Sequence, residues 1–473
     1  MTPENGGGVN LDAALIAIDR ACRDGAVIRD RDLLETFAGD ASEVTPVTPD
    51  AAVRATTTGE VAAVLAACSK HGVPVTPRAG GTGRVGGAVP VRGGVVLAFD
   101  RMDEILGIEG RDLKVTVQPG VVLGDLHRSV EERGLFYPPD PNSWESCRIG
   151  GNLACNAGGP RAFKYGVTRS WLLGLEAVTA DGTVLKVGKP TAKGVTGYDL
   201  AGLIVGSEGT LAVVTEATLR LIPKPESVAT MLVFLADETA MEGVITSLLR
   251  RRAVPRCLEM LDSLALAIVR PRAGLQVPIG AKAMLLVELD GEADALPAQV
   301  EDCGTAMLEA GAVDVLVAKN AAERERLWAA RRELSHAMRR QARHKLSEDV
   351  VVPRTRLGEL VARCRNLSEE HGVRMPCYGH AGDGNLHVNF LWDDPDQRPR
   401  VEAAIEGLFR AVVAMGGTLS GEHGIGVLKA PYLPLEQSDA LIDLQKRLKE
   451  VFDPRGVLNP GKLFPQTRTH RAC

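Results

Sequence analysis

No stretch of this 473-residue chain approaches the uninterrupted apolar run of ~18 to 20 residues that a membrane-spanning helix needs. Its first residues, Met1 to Gly8, lack a basic residue followed by an apolar core, so they do not read as a secretory signal. The nine cysteines stand singly, with no C-x-x-C pair and no regular framework. That fits a reducing compartment and removes any iron–sulfur or cysteine-rich zinc module from the chain itself. Basic excess is missing too: 55 Lys and Arg against 60 Asp and Glu leave a net charge of -5, which argues against nucleic acid as a partner. Only 4% of the residues are aromatic, but 45% are apolar and 24% charged, which is ordinary globular composition. Low-complexity and disordered classes are excluded, and the length suits two to four domains whose cores need no staples. The chain reads as cytoplasmic, with any membrane association going through a partner.

Several elements can be read from periodicity and punctuation. Leu11, Ala14, Leu15, Ile18 and Cys22 fall on one face of a helix. Thr57-x-x-Glu60 is a capping box ahead of a helix over about 60–70 that stops at Gly72. Val73–Val75, Val95–Phe99 and Lys114–Val117 read as strands, and about 121–133 as a helix. Asp181-Gly182 predicts a two-residue hairpin turn between Leu175–Thr179 and Thr183–Val187, which brings antiparallel pairing in after the first α/β units. From about 226 the glycines thin out. Strands at Met231–Leu235, Ala283–Leu289 and Asp314–Val317 alternate with helices near 239–251 and 294–310, predicting an α+β domain with one layer of helices on a sheet. The residues after Gln466 read as a loose tail.

Gly81-x-Gly83-x-x-Gly86 satisfies the dinucleotide fingerprint in letters, with Asp100 and Asp103 following. The residues after it, Gly87 to Gly94 with Pro90 among them, cannot propagate the helix that fingerprint needs, so a Rossmann NAD site is rejected. What remains is a loop, Pro77 to Gly83, whose amides can approach an anion closely. A second glycine cluster lies in Ile149 to Gly159. Two such clusters suit a ligand with a long phosphate backbone.

Taken in order, Pro77–Gly83, Tyr137–Pro141, Ile149–Gly159, Gly206–Glu216, Gly379–His387, Ser420–Gly426 and Leu458–Lys462 resemble the motifs of one family over about residues 45–465. The family is the vanillyl-alcohol-oxidase-type FAD flavoproteins, in the D-2-hydroxyacid dehydrogenase branch that includes D-lactate dehydrogenases, the glycolate oxidase flavin subunit and D-2-hydroxyglutarate dehydrogenase. The resemblance implies an α+β, two-subdomain FAD-binding fold with an α+β cap and a C-terminal segment returning to the FAD domain. The corresponding boundaries are an N-terminal helical segment at 1–44, an FAD-binding domain at 45–225, a substrate or cap domain at 226–410 and a completing segment at 411–473. It further implies that Arg78, Ala79, Gly80, Gly81, Thr82 and Gly83 wrap the FAD pyrophosphate. Pro139, Gly150, Gly151, Asn156, Gly158 and Gly159 line the cofactor path, Glu208, Gly209 and Val214 hold the adenine side, and Asn459 reaches the flavin. Some relatives attach FAD through a histidine in the first loop; none is present here, so FAD is expected to bind non-covalently.

Six of the nine histidines lie between His336 and His423. A single one of these is more often a surface or satisfied core residue than a ligand. His380 and His387 bracket a glycine-rich turn that precedes the strand-like Val388, Phe390 and Leu391, so both imidazoles can converge, and Glu422 offers a carboxylate. Two histidines and one carboxylate suit a divalent ion such as zinc, with manganese or iron as alternatives, and leave room for substrate. The resemblance implies the same site. His423 is the expected base for a 2-hydroxy acid's hydroxyl proton, the alternative being that it orients the metal site. Arg331 matches the family's substrate-carboxylate arginine, with Ser335 one turn later on the same face. Its alternative role is a solvated arginine. Asn389, two residues past His387, shares its strand face.

Relatives acting on D-2-hydroxyglutarate carry a lysine two residues before the position of Asp349; Ser347 stands there instead, and Lys345 lies two positions earlier. This tilts the expected substrate toward D-lactate or glycolate. The electron acceptor must be external, an electron-transfer protein, a quinone or, slowly, oxygen, because no haem, iron–sulfur or NAD motif is present. Two other classes stay open: the fold used without net redox, as in an ether-lipid synthase, and a non-catalytic flavin-binding subunit. The chain shows no extended lipid-binding sequence and keeps both histidine motifs, which argues against each.

Overall fold

The computed structural model describes residues 9–191, 193–270 and 277–465; the tail after Gln466 and the first eight residues lie outside them. Two compact units emerge, one made of residues 1–157, 167–224 and 422–473, the other of 158–166 and 225–421. Among the described residues no helix is long and apolar enough to cross a membrane.

Among the described residues the first unit holds two larger sheets besides a two-stranded pairing of Leu135–Phe136 with Ile222–Pro223. Strands Val27–Ile28 (β1), Ala51–Arg54 (β2), Val75–Arg78 (β3) and Val95–Ala98 (β4) lie in the order β1-β2-β4-β3, with β4 parallel to β2 and β3. The Thr58–His71 helix packs its Val61, Val64, Leu65 and Cys68 into the same core as Leu15 and Ile18 of the Leu11–Ala21 helix. Half of the expected capping box forms: Thr57 accepts from Glu60 N, whereas the Glu60 carboxylate turns to Thr56 N and Arg23 N and ties the two helices' surroundings together. The C-terminal segment returns to this sheet, where Val75 N donates to Val457 O and Asn459 N to Val75 O, both at 2.7 Å.

The second sheet runs Ile105–Glu109 (β5), Lys114–Val117 (β6), Ala212–Arg220 (β9), Leu172–Thr179 (β7), Val184–Gly188 (β8), every pair antiparallel. Antiparallel pairing therefore begins earlier than the sequence suggested, at β1 and β2 and again at β5 and β6. The β7–β8 hairpin also differs from the expected two-residue turn. Thr179 N donates to Thr183 O and Gly182 N to Thr179 O, so three residues, Ala180 to Gly182, form the loop. Gly182 takes the left-handed conformation that such loops place last.

The second unit is built on one seven-stranded antiparallel sheet. Its strands are Ser227–Leu235 (β10), Cys257–Leu261 (β11), Ala283–Gly291 (β12), Ala312–Val317 (β13), His344–Val351 (β14), Cys377–His380 (β15) and Asn385–Trp392 (β16). They lie in the order β13-β10-β12-β11-β15-β16-β14. One layer of helices was expected; the sheet is covered on both faces. Leu232 and Phe234 of β10 pack with the Ser263–Val269 helix and with Leu327, Leu334 and Met338. On the opposite face, Val315, the cross-strand partner of Val233, meets Gly304 of the Leu296–Glu309 helix. The unbroken apolar run Met231–Leu235 is what a strand buried on both sides requires.

Candidate active site

Residues opposite one another on neighbouring strands share a face, and the register of the second unit's sheet puts an unusual set of polar side chains on one of them. Glu259 pairs with His380, and His380 with Asn385. Tyr378 pairs with His387, and His387 with Asp349. Asn389 and Leu391 pair with Ser347 and Lys345. His380 and His387 thus stand on adjacent strands at either side of a turn, their ring centroids 5.3 Å apart and both buried. The turn's glycines are explained by crowding: a Cβ on Gly384 would lie 2.0 Å from Val352 O, and its φ is +78°.

Each imidazole is backed by a carboxylate. His380 Nδ1 is 2.5 Å from Glu259 Oε1, and His387 Nδ1 is 3.9 Å from Asp349 Oδ1. Asp349 in turn accepts from Asn385 Nδ2 at 2.5 Å and from Gly421 N at 2.8 Å. Burial pushes the Glu259 carboxyl up, but His380 and Arg331 outweigh it and hold the group below the usual carboxylate range. Two imidazoles beside buried carboxylates could hold a divalent ion; the Glu259 contact favours the His380 tautomer that offers Nε2, whereas 3.9 Å is too long for a hydrogen bond to do the same at His387. The fit to a metal is good on the donors present.

Arg331 is not a solvated arginine. It is 3% exposed, its guanidinium lies 4.7 Å from the Tyr378 ring centroid, its Nε donates to Glu259 Oε2 at 2.8 Å, and its Nη2 lies 2.5 Å from the same oxygen as an ion pair but has no hydrogen-bond partner. The helix carrying it, Ala321–Arg332, breaks at Glu333, and Ser335 sits on the next helix, where its Oγ accepts from Lys345 Nζ at 2.9 Å. Asn389 is fully buried; its Nδ2 reaches His387 O and Pro376 O, and its Oδ1 has no hydrogen-bond partner. Arg331, Ser335, Lys345, Asn389, His380 and His387 therefore share one face of one sheet. Sequence reasoning missed Glu259, whose only signal is a carboxylate in the middle of the apolar strand Cys257–Leu261. Asp349 served as a reference point alone.

Glu422 and His423 begin the last piece of the first unit, directly after Gly421 in the chain. His423 Nε2 is 3.9 Å from Glu422 Oε1. Glu208 holds the turn that follows: its carboxylate accepts from Ile425 N at 2.7 Å and Gly426 N at 2.8 Å, and its burial raises its pKa. A Cβ on Gly424, whose φ is +86°, would come 2.7 Å from Glu208 Oε1. Gly424→Ala is therefore expected to lower stability by about 1–3 kcal/mol through backbone strain and displacement of that carboxylate. Urea unfolding of the two proteins measures it, and equal midpoints would refute this account of the turn.

The residues expected at FAD lie in the first unit, apart from Gly158 and Gly159, which belong to the second unit. Arg78 ends β3, and no helix follows Ala79 to Gly83 before Gly94. Gly80 abuts the backbone of Ser146 to Arg148, and Gly151, on the Ile149–Cys155 helix with Gly150, approaches Ala79. Asn156 caps that helix in the left-handed conformation. Glu208 N donates to Ala154 O, Gly209 packs on Pro77, and Asn459 Nδ2 donates to Glu208 O at 2.7 Å. Pro139 O meets His127 Nε2 at 3.0 Å, and Val214 is buried in β9. Around these loops Tyr137 Oη, Asn152 Nδ2, Ser207 Oγ and Asn459 Oδ1 are buried without a protein partner. Buried polar atoms rarely stay so, and a polar ligand running along the loops fits them.

Residues 49–188 match the family model described as FAD binding domain, and 224–463 that of FAD linked oxidases, C-terminal domain. The chain is 40% identical over 437 residues to the glycolate oxidase subunit GlcD of Bacillus subtilis (strain 168), covering 92% of this chain and 93% of that one. It is 37% identical over 427 residues to the D-lactate dehydrogenase of Anaerostipes hadrus, covering 88% and 89%. Among solved structures, the 4-ethylphenol oxidase from Gulosibacter chungangensis superposes with a TM-score of 0.78 at 20% identity, covering 98% and 99%. That last likeness concerns the fold alone, and it bears out the fold expected from the motifs.

Proposed function

This chain belongs to the FAD-linked oxidases and is an FAD-binding oxidoreductase, and from that premise we propose that it oxidises a D-2-hydroxy monocarboxylate, D-lactate or glycolate, to the 2-oxo acid. FAD, bound non-covalently, supplies the two-electron acceptor, and electrons leave to an external protein or quinone. A divalent ion, zinc in the first instance, held by His380, His387 and Glu422, supplies the positive charge that acidifies the substrate hydroxyl. The observation that carries the reading is the pair of carboxylate-backed imidazoles beside Arg331 on one sheet face.

The chain's own groups divide the work. Arg331, fixed through Nε by Glu259 and with Nη2 left without a hydrogen-bond partner, meets the substrate carboxylate, and Asn389 offers a second polar contact on the same face. His423 takes the hydroxyl proton at Nε2. Gly421 N, held by Asp349, fixes where the chain enters Glu422 and His423.

Charge supports a monoacid. Glu259 and Asp349 cancel Arg331 and Lys345, and a divalent ion with Glu422 leaves one positive charge, which a single carboxylate balances. One observation favours a second reading: Lys345 Nζ, bonded to Ser335 Oγ, lies on the same sheet face and could meet the second carboxylate of D-2-hydroxyglutarate. A dye-reduction screen over D- and L-lactate, glycolate, D-malate and D-2-hydroxyglutarate separates the two. D-lactate or glycolate is expected to give the highest kcat/KM, and Lys345→Met to leave them within about threefold. A diacid that leads the screen and falls tenfold or more in Lys345→Met would establish the second reading. If no acid reduces the dye, the chain is a non-catalytic flavin subunit.

A further inference from the structure

We infer that Glu259 is a positioning residue shared by the metal ligand His380 and the substrate arginine Arg331, so that one buried carboxylate sets the tautomer of the first and the direction of the second. This rests on the function proposed above. Glu259 is completely buried, and its two oxygens serve different partners: Oε1 meets His380 Nδ1 at 2.5 Å, while Oε2 meets Arg331 Nε at 2.8 Å and Nη2 at 2.5 Å. The contacts follow from the fold. Glu259 and His380 are direct cross-strand partners on β11 and β15, whose side chains leave the same face. Arg331 comes down from the Ala321–Arg332 helix and lies over Tyr378, two residues before His380.

A carboxylate between a guanidinium and an imidazole can only accept, so His380 carries its proton on Nδ1 and presents the Nε2 lone pair to the metal. The same carboxylate accepts from Arg331 Nε and pairs with its charge, which fixes the guanidinium, while Nη2, buried without a hydrogen-bond partner, keeps donor capacity for a ligand. Glutamine cannot replace it: a single amide oxygen can accept from His380 or from Arg331, and the amide nitrogen then faces a donor. The wrong tautomer or a rotated guanidinium follows. Aspartate keeps the charge but is one methylene too short to span both partners.

The test uses the FAD-loaded protein and reads metal as well as activity. Wild type, Glu259→Gln, Glu259→Asp and Arg331→Lys are dialysed against graded chelator, and bound metal is measured by elemental analysis beside the flavin spectrum and steady-state kinetics. Glu259→Gln is expected to lose its metal at a chelator activity about 10- to 100-fold lower than wild type, with a raised KM and an unchanged flavin spectrum. Glu259→Asp should fall between the two. Arg331→Lys should raise KM while holding metal as wild type does, and combining it with Glu259→Gln should raise KM little further, because both disturb one contact.

If Glu259→Gln keeps wild-type metal retention and KM, the inference is overturned. A wild-type protein that holds no stoichiometric divalent metal overturns the proposed function instead. Should Glu259→Gln fail to fold, Glu259→Asp decides on the same readouts: wild-type metal retention and KM in it would count against the inference.

Discussion

Stripping the divalent ion is expected to abolish turnover and leave the flavin absorption intact. On the proposed assignment the two depend on different residues: the metal on His380, His387 and Glu422, the flavin on the segments around Arg78 to Gly83, Ile149 to Asn156 and Ser207 to Gly209. A metal that stabilises the deprotonated hydroxyl contributes several kcal/mol, and each 1.36 kcal/mol is a factor of ten, so a loss of about 10³-fold or more follows. His380→Ala, His387→Ala and Glu422→Ala should each reproduce the chelator's effect and lose metal by elemental analysis. Adding back zinc, manganese or ferrous ion to the chelated wild type then identifies the ion that restores the rate. Variants that keep both full metal content and full rate would remove the site from these residues. The flavin should come off with acid or heat precipitation, because the first loop carries no histidine to hold it covalently.

Local signals in the sequence were read where local chemistry decides the structure. The Leu11–Ala21 and Thr58–His71 helices carry complete apolar stripes and caps, and the turn between His380 and His387 is written in glycines that the crowding at Val352 O demands. Errors arose where distant partners decide. Glu60 leaves its own capping box for Arg23 N, a residue 37 positions away. The helix through Arg331 is interrupted at Glu333, which no glycine or proline announces. Glu259 looks like an intruder in Cys257–Leu261 until its partners are known, and those lie 121 and 72 residues away. The histidine pair was legible because both members flank one turn. The carboxylates behind them were not, because strand register, which no short segment contains, sets each pairing. Glu208 shows the same limit: the motif marks it for the cofactor, but that its carboxylate also holds the turn after His423, more than 200 positions away, is not written in any local segment.

His423→Ala separates proton removal from metal binding. With Glu422 as ligand and His423 as base, the variant should retain its metal and still bind substrate, yet lose ~10²- to 10⁴-fold in kcat, the usual contribution of a positioned proton acceptor. The slowed step should be flavin reduction itself, since the hydroxyl proton and the Cα hydride leave in one oxidation. Anaerobic stopped-flow reduction with the acid selected by the screen measures that step directly, apart from re-oxidation by the acceptor. The position of His423 suits this role: it adjoins Glu422 in sequence, its Nε2 lies 3.9 Å from that carboxylate, and Glu208 pins the turn immediately after it. A variant that reduces its flavin at the wild-type rate would move the base to His336 or His344, and His344 is the weaker of these because its ring stacks on Trp392 at 5.2 Å. Loss of metal in His423→Ala would make this residue a ligand, and the proton would then need an acceptor outside the Glu422–His423 pair.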